Sequence, residues 1–209
     1  MSRSIVCISR ATGAGGEEVA KLVAEELGFR YVDDEIVLRA AELAGVSPAQ
    51  VAQAEHSQPL VSRIMEALAT VPVMGSPMSE GGYVAPLISP PNVTYSHLIE
   101  NVVRETAEEK DVVIVAHGAS HVLGGRPEVL RVFVTASPKT RAARLSREAG
   151  LDERAAAKSV EESDKERARY LERFYHVRHE LPVHYDLTLN TDLVTPATAA
   201  ALIVAAARA

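Results

Sequence analysis

The sequence predicts an α/β fold, with a parallel sheet and helices on both of its faces. Three observations predict it. Short apolar, β-branched runs recur along the chain, helical patterns lie between them, and the runs do not alternate with polar residues. A strand covered on both faces reads in this unalternated way. The clearest runs are SIVCI at 4–8, DVVIVA at 111–116 and LRVFVT at 130–135. Two weaker ones are FRYV at 29–32 and YDLTL at 185–189. Five strands alternating with helices in 209 residues predict one domain.

The helices follow from spacing and stop signals. Residues 17–27, EEVAKLVAEEL, bring Val19, Leu22, Val23 and Leu27 near one face, and Gly28 ends the helix. Residues 35–44 read as helical. So do residues 96–109, SHLIENVVRETAEE, with Ser96 as the N-cap. A polar, Arg-rich stretch runs from about 138 to 178, and an Ala-rich helix follows Pro196. Residues 56–93 differ, with Pro59, Pro72, Pro77, Pro86, Pro90 and Pro91 among several glycines. Only 60–70 reads as a helix there, and 71–93 reads as a long loop. Such a loop is either a lid or substrate-binding insert, or it is disordered.

Composition narrows the function. Hydrophobic residues make up 47% and aromatics 4%, with no Trp, so the core is built of Ala, Val and Leu. A net charge of −6 argues against a general nucleic-acid binder. The single cysteine, Cys7, lies in the first apolar run and reads as a small buried hydrophobe. No segment approaches the roughly 20 apolar residues of a membrane span. The opening MSRSIVCIS enters a strand pattern without a cleavable signal layout. The expectation is a cytoplasmic protein with neither nucleic acid nor membrane as partner.

Residues 8–18, ISRATGAGGEE, join the first strand to the first helix. A glycine-rich turn there exposes backbone N–H groups at the positive end of the helix dipole, which suits phosphate. Gly13, Gly15 and Gly16 allow close backbone approach, with Ala14 between them. The pattern departs from the usual G-x-x-x-x-G-K-[ST]. Arg10 takes the first glycine, Gly16 the lysine and Glu17 the hydroxyl residue. Glu17 and Glu18 suit the helix dipole and compete with an arriving anion. Arg10 and Lys21 are nearby cations. The alternative reading is an ordinary tight turn.

The run ISRATGAGGEEVAKLVAEELGFRYVDDEIV, beginning at residue 8, resembles the cytidylate kinase-like family of P-loop proteins. Three further stretches resemble it in order. They are VIVAHGASHVL at 113–123, VFVTASPKTRAARLSRE at 132–148, and SDKERARYLERFYHV at 163–177 followed by YDLTLNTD at 185–192. The resemblance implies a P-loop NTPase-type three-layer fold around a five-stranded parallel sheet of order 2-3-1-4-5. It also implies a helical acceptor-binding insert at 35–95 and an Arg-rich helical lid at 138–184. The core is then 1–34, 96–137 and 185–209. Glycine in place of the loop lysine agrees with this family, whereas Glu17 reverses the charge the family carries there.

Roles follow by resemblance. The loop residues Arg10, Gly13, Ala14, Gly15, Gly16, Glu17 and Glu18 would hold ATP, with Mg²⁺. Asp33 and Asp34 follow the second strand and either touch acceptor or metal, or form a helix cap with a solvated neighbour. His117 stands where CMP kinases carry the arginine of a Gly-Arg-Asp motif. It either contacts the acceptor or is a histidine satisfied at a strand end. Arg141, Arg144 and Arg147 recur every three residues, which sets them on neighbouring parts of one helical face. They either clamp ATP phosphates or form a solvated basic face. Arg141, Arg144, Lys165 and Arg167 are the expected catalytic cations. Asp164, Glu166 and Arg169 are expected at the acceptor, with Glu166 near its ribose and Arg169 at its phosphate; the alternative is salt-bridge decoration. His176, His179 and His184 lack a metal-ligand pattern, so no metal site is expected from them. The expected function is transfer of the ATP γ-phosphoryl to CMP or a similar small acceptor. The alternative is a catalytically weak regulatory protein that binds nucleotide. The resemblance leaves room for a homodimer.

Overall fold

The structure, a computed structural model, describes residues 3–56 and 92–209. The predicted helix at 60–70 and nearly all of the predicted loop at 71–93 lie outside the described residues. The sheet has five strands in the order β2-β3-β1-β4-β5, every neighbouring pair parallel. The strands are β1 (Ile5–Arg10), β2 (Arg30–Val32), β3 (Val112–Val115), β4 (Val129–Thr135) and β5 (Leu187–Asn190). Among the described residues the helices are α1 (Gly16–Leu27), α2 (Glu35–Ala44), α3 (Pro48–His56), α4 (Asn92–Glu108), α5 (Ala119–Val122), α6 (Pro138–Ala149), α7 (Glu153–Tyr175) and α8 (Pro196–Arg208).

The unalternated strands have the cause expected of them. Successive side chains of β1 point to opposite faces, and both faces are covered. Val6 and Ile8 join Val19 and Val23 of α1 and Ile203 and Val204 of α8 in one apolar layer. Ile5 and Cys7 join Ile36 of α2, Ile99, Val102 and Val103 of α4, and Val112 and Ile114 of β3 in the other. Fully burying each Val or Ile side chain stabilises the fold by about 1.5–3 kcal/mol. At its carboxyl end β1 turns polar with Ser9 and Arg10. In open α/β sheets the site lies outside this edge.

Local signals set the helix ends. Gly28 closes α1 in the left-handed conformation, φ 69°. Ser137 caps α6, accepting the Thr140 N–H, with Pro138 in the first turn. Asp152 caps α7 through the Ala155 N–H at 2.9 Å. Two readings need correction. The helix expected from Ser96 begins earlier, at Asn92, so Ser96 lies inside α4. Asp34 holds the N-cap position of α2 but makes no side-chain cap hydrogen bond. Its carboxylate is therefore available elsewhere.

Candidate functional site

The loop after β1 is shaped by close approach on two sides. Gly13 has φ +77° and Gly15 φ +76°, both in the left-handed region that favours glycine. A Cβ on Gly13 would also lie 2.8 Å from the Arg141 carbonyl oxygen. Gly16 is constrained differently, since a Cβ there would stand 2.6 Å from the Arg10 Cβ. The departures at 10 and 16 are thus one departure, because the arginine at 10 leaves no room for a side chain at 16. Ala14 is buried, and its carbonyl accepts the Thr191 hydroxyl at 2.8 Å. The first N–H groups of α1 have no intrahelical partner and face the loop end. Arg10 reaches across to Glu17 with an N···O distance of 2.7 Å. A cavity of about 470 Å³ opens here, lined among others by Arg10, Thr12, Gly15, Glu17 and Lys21. Glu18 lines it too, from the exposed side of α1.

The arginines of α6 brace this loop. Arg141 is 4% exposed. It forms two bonds to Asp164, at 2.8 and 2.6 Å, and donates to the Ala136 and Thr12 carbonyls. Arg144 donates to the Gly13 carbonyl and to both the hydroxyl and carbonyl of Thr191. Arg147 is exposed and bonds back to Ala143 of its own helix. Only two of the three arginines on this face therefore meet the loop.

A second cavity, of about 200 Å³, lies at the carboxyl ends of β1, β2 and β3. It shares Arg10 and Thr12 with the first. Asp33, Asp34, His117 and Glu166, each expected at the acceptor, all line it. Ala116, His117 and Gly118 run successively through φ 62°, 50° and 65°, which aims His117 back over the sheet edge. The two non-glycine residues cost about 1–2 kcal/mol each in this conformation. A Cβ on Gly118 would overlap the Tyr175 hydroxyl, so glycine is required there. His117 Nε2 stands 3.5 Å from an Asp33 carboxylate oxygen, and the Tyr31 hydroxyl donates to Asp33 at 3.0 Å. Burial works against the Asp33 charge, but the bonds from His117 and Tyr31 outweigh it and hold the carboxyl below its ordinary value. The same bond, after burial, pushes the Tyr31 hydroxyl up.

Arg167 closes the far wall. It pairs with Glu180 through two bonds, at 2.8 and 2.5 Å, and donates to the Arg10 carbonyl. The Tyr185 hydroxyl also donates to Glu180. The guanidinium lies 5.3 Å from the centre of the Phe133 ring. Burial alone would raise the Glu180 carboxyl, but Arg167 keeps it below its ordinary value. Lys165 and Arg169 are exposed and line neither cavity. Lys165 pairs with Glu161 along its own helix.

Several residues that line or brace the site went unpredicted. Ser9, buried and bonded to Ser120 at 3.1 Å, adjoins Arg10 in the Ser-Arg dipeptide. His121 follows His117 by four residues, a one-turn spacing that would have signalled it. Its ring stacks on Tyr175 with centroids 5.2 Å apart. Thr191, Glu180 and Tyr185 offered no local signal, because their partners are distant in sequence or lie across a turn.

Comparison with known proteins agrees with this architecture. The model of the cytidylate kinase-like family matches residues 5–193. No curated protein matches the chain. Among solved structures, an uncharacterized protein from Eubacterium ventriosum is 19% identical, with 98% of each chain covered and a TM-score of 0.68. A shikimate kinase from Bacteroides thetaiotaomicron is 14% identical over 95% of each chain, with a TM-score of 0.50. A sugar kinase from Janibacter sp. is 12% identical over 98% of this chain and 94% of its own, with a TM-score of 0.51. At these identities the likeness shows the fold, which is that of nucleotide-binding kinases. With the family model matching most of its length, the chain belongs to the cytidylate kinase-like family.

Proposed function

We propose that this protein is a phosphotransferase that binds ATP at the loop cavity and passes its γ-phosphoryl to a small acceptor in the second cavity. A nucleoside monophosphate such as CMP is the acceptor the family name suggests. The observation that carries the reading is that the two cavities meet at Arg10. Phosphoryl transfer needs positioning and neutralisation of charge at the junction of donor and acceptor. Gly13, Ala14, Gly15 and Gly16 form the phosphate cradle in this reading, and Arg10 supplies the cation that a loop lysine supplies elsewhere.

Mg²⁺ belongs to this chemistry because it neutralises the β and γ oxygens of ATP. Among the described residues no three acidic, histidine or cysteine side chains cluster closely enough to cage an ion. That suits an ion bound chiefly by phosphates and water with one or two carboxylates. Glu17 in the loop cavity is the carboxylate that would hold it.

A second reading, a catalytically weak regulatory protein that binds nucleotide, is favoured by the engagement of Arg141 with Asp164. Calorimetric titration separates the two. Mg-ATP should bind with a dissociation constant between micromolar and millimolar, roughly −8 to −4 kcal/mol. Arg10→Ala should weaken it about tenfold or more, the loss of one charge-assisted contact. No heat up to millimolar Mg-ATP would sink both readings. Binding without transfer to any small acceptor would leave the regulatory one.

A further inference from the structure

We infer that the second cavity takes an acceptor without negative charge, a small polyhydroxylated molecule either neutral or bearing an amine, rather than a nucleotide or other phosphate ester. This rests on the phosphotransferase reading above and narrows its substrate.

The first support is the state of the cations. Among the described residues the arginines in the cavity wall are Arg10 and Arg167, and there is no lysine. A phosphate ester is held best by the open, two-pronged fork of a guanidinium. Arg167 gives its fork to Glu180. Arg10 points its terminal nitrogen at Glu17, 2.7 Å away, on the donor side. Arg169, the residue expected at an acceptor phosphate, is exposed and outside the wall.

The second support is the state of the anions. Asp33, Asp34 and Glu166 all line the cavity. The side-chain carboxylates of Asp34 and Glu166 make no hydrogen bond or ion pair with any described residue, and Asp34 does not cap the helix it heads. These carboxylates repel a phosphate and accept hydrogen bonds from hydroxyl or amine groups. Of the remaining polar wall, Ser9 carries a hydroxyl. His121 has a buried Nε2 with no partner among the described residues, and burial lowers its pKa, which keeps the ring uncharged. A hydroxyl satisfies such a nitrogen without bringing charge.

The chemistry of the step agrees. A phosphate oxygen attacks without losing a proton, whereas a hydroxyl must lose one. For a hydroxyl acceptor, its oxygen forms the new bond to the γ-phosphorus, and the bond from that phosphorus to the ADP oxygen breaks. ADP leaves with the electron pair, and the hydroxyl proton passes to Asp33, a carboxylate 3.5 Å from His117 and beside Arg10 in the wall.

The test compares the wild-type protein with the double variant Asp34→Asn, Glu166→Gln. Calorimetry with CMP as probe should show at least tenfold tighter binding to the double variant. Mg-ATP affinity should differ less than twofold between the two proteins. In a coupled ADP-release assay, at least one member of a panel of neutral and amino-substituted polyols should accept phosphate faster than CMP does. Equal or weaker CMP binding by the double variant overturns the inference, as does a panel in which CMP is the best acceptor. Absence of Mg-ATP heat from both proteins would instead overturn the phosphotransferase reading on which the inference rests.

Discussion

Restoring the missing loop lysine should damage this protein unless Arg10 is removed at the same time. In Gly16→Lys the new Cβ would stand 2.6 Å from the Arg10 Cβ. Carbon atoms in good contact sit about 3.5–4.0 Å apart, so one backbone must move by roughly 1 Å. The obstructing atom is a Cβ fixed to β1, not the end of a flexible chain, and β1 is the central strand of the sheet. Overpacking of this kind costs about 1–3 kcal/mol. The lysine would also bring a second positive charge beside Arg10. Arg10→Gly alone loses the pair with Glu17, a partly exposed bridge worth about 0–1 kcal/mol. In the double variant the clash is gone, so the two changes should couple by about 1–3 kcal/mol in favour of the pair. Urea denaturation of the four proteins measures this. The midpoint of Gly16→Lys should fall by about 1 M if the urea dependence is ~1–3 kcal/mol/M, and Arg10→Gly should recover most of the loss. A wild-type midpoint for Gly16→Lys, or effects that add within about 0.5 kcal/mol, would refute the coupling.

Two further outcomes concern stability and reactivity. Glu180→Gln should cost about 3 kcal/mol at neutral pH, the lower end for breaking a buried pair, because the Arg167 side chain keeps 24% exposure. The Glu180 carboxyl is depressed when folded, so its contribution is present above the ordinary value of 4.5 and fades as pH falls through the folded value. Denaturation at several pH values should therefore show the gap between wild type and Glu180→Gln closing below about pH 4.5, and a gap independent of pH would remove the assignment. Cys7 is fully buried, and burial pushes its thiol up to about 12. An aromatic disulfide reagent at about pH 8 should label it only at the rate of unfolding, and rapid labelling of the folded protein would contradict the packing.

The sheet and most helices were legible because their signals are local. Residues 35–44 were read as a helix, and α2 spans Glu35–Ala44. The strand order needed the family resemblance, since pairing of β1 with β3 and β4 spans more than a hundred residues. α3 went unread although Ser47, Pro48 and Gln50 spell a helix start, with the Ser47 N–H donating to the Gln50 side chain at 3.0 Å. In the candidate site, Asp33, Asp34, His117 and Glu166 were read from the family pattern and lie together. What sequence could not give was which charges are already engaged. Arg167 and Glu180 are thirteen residues apart across the end of α7, and nothing in either neighbourhood announces the pair.

The loop carries that same lesson further. Read as a sequence, Glu17 competes with phosphate and Gly16 stands where the usual loop has a lysine, two separate departures from that loop. In the fold they share one cause and one remedy. Arg10 excludes a side chain at 16 and also supplies the charge that balances Glu17. An incoming phosphate would therefore exchange with one carboxylate for part of an arginine, rather than meet an uncompensated negative site. Such an exchange yields weaker binding than a free lysine would, because the carboxylate must be displaced or shared. It also ties the donor loop to the acceptor cavity, because the residue that neutralises Glu17 forms a wall of both.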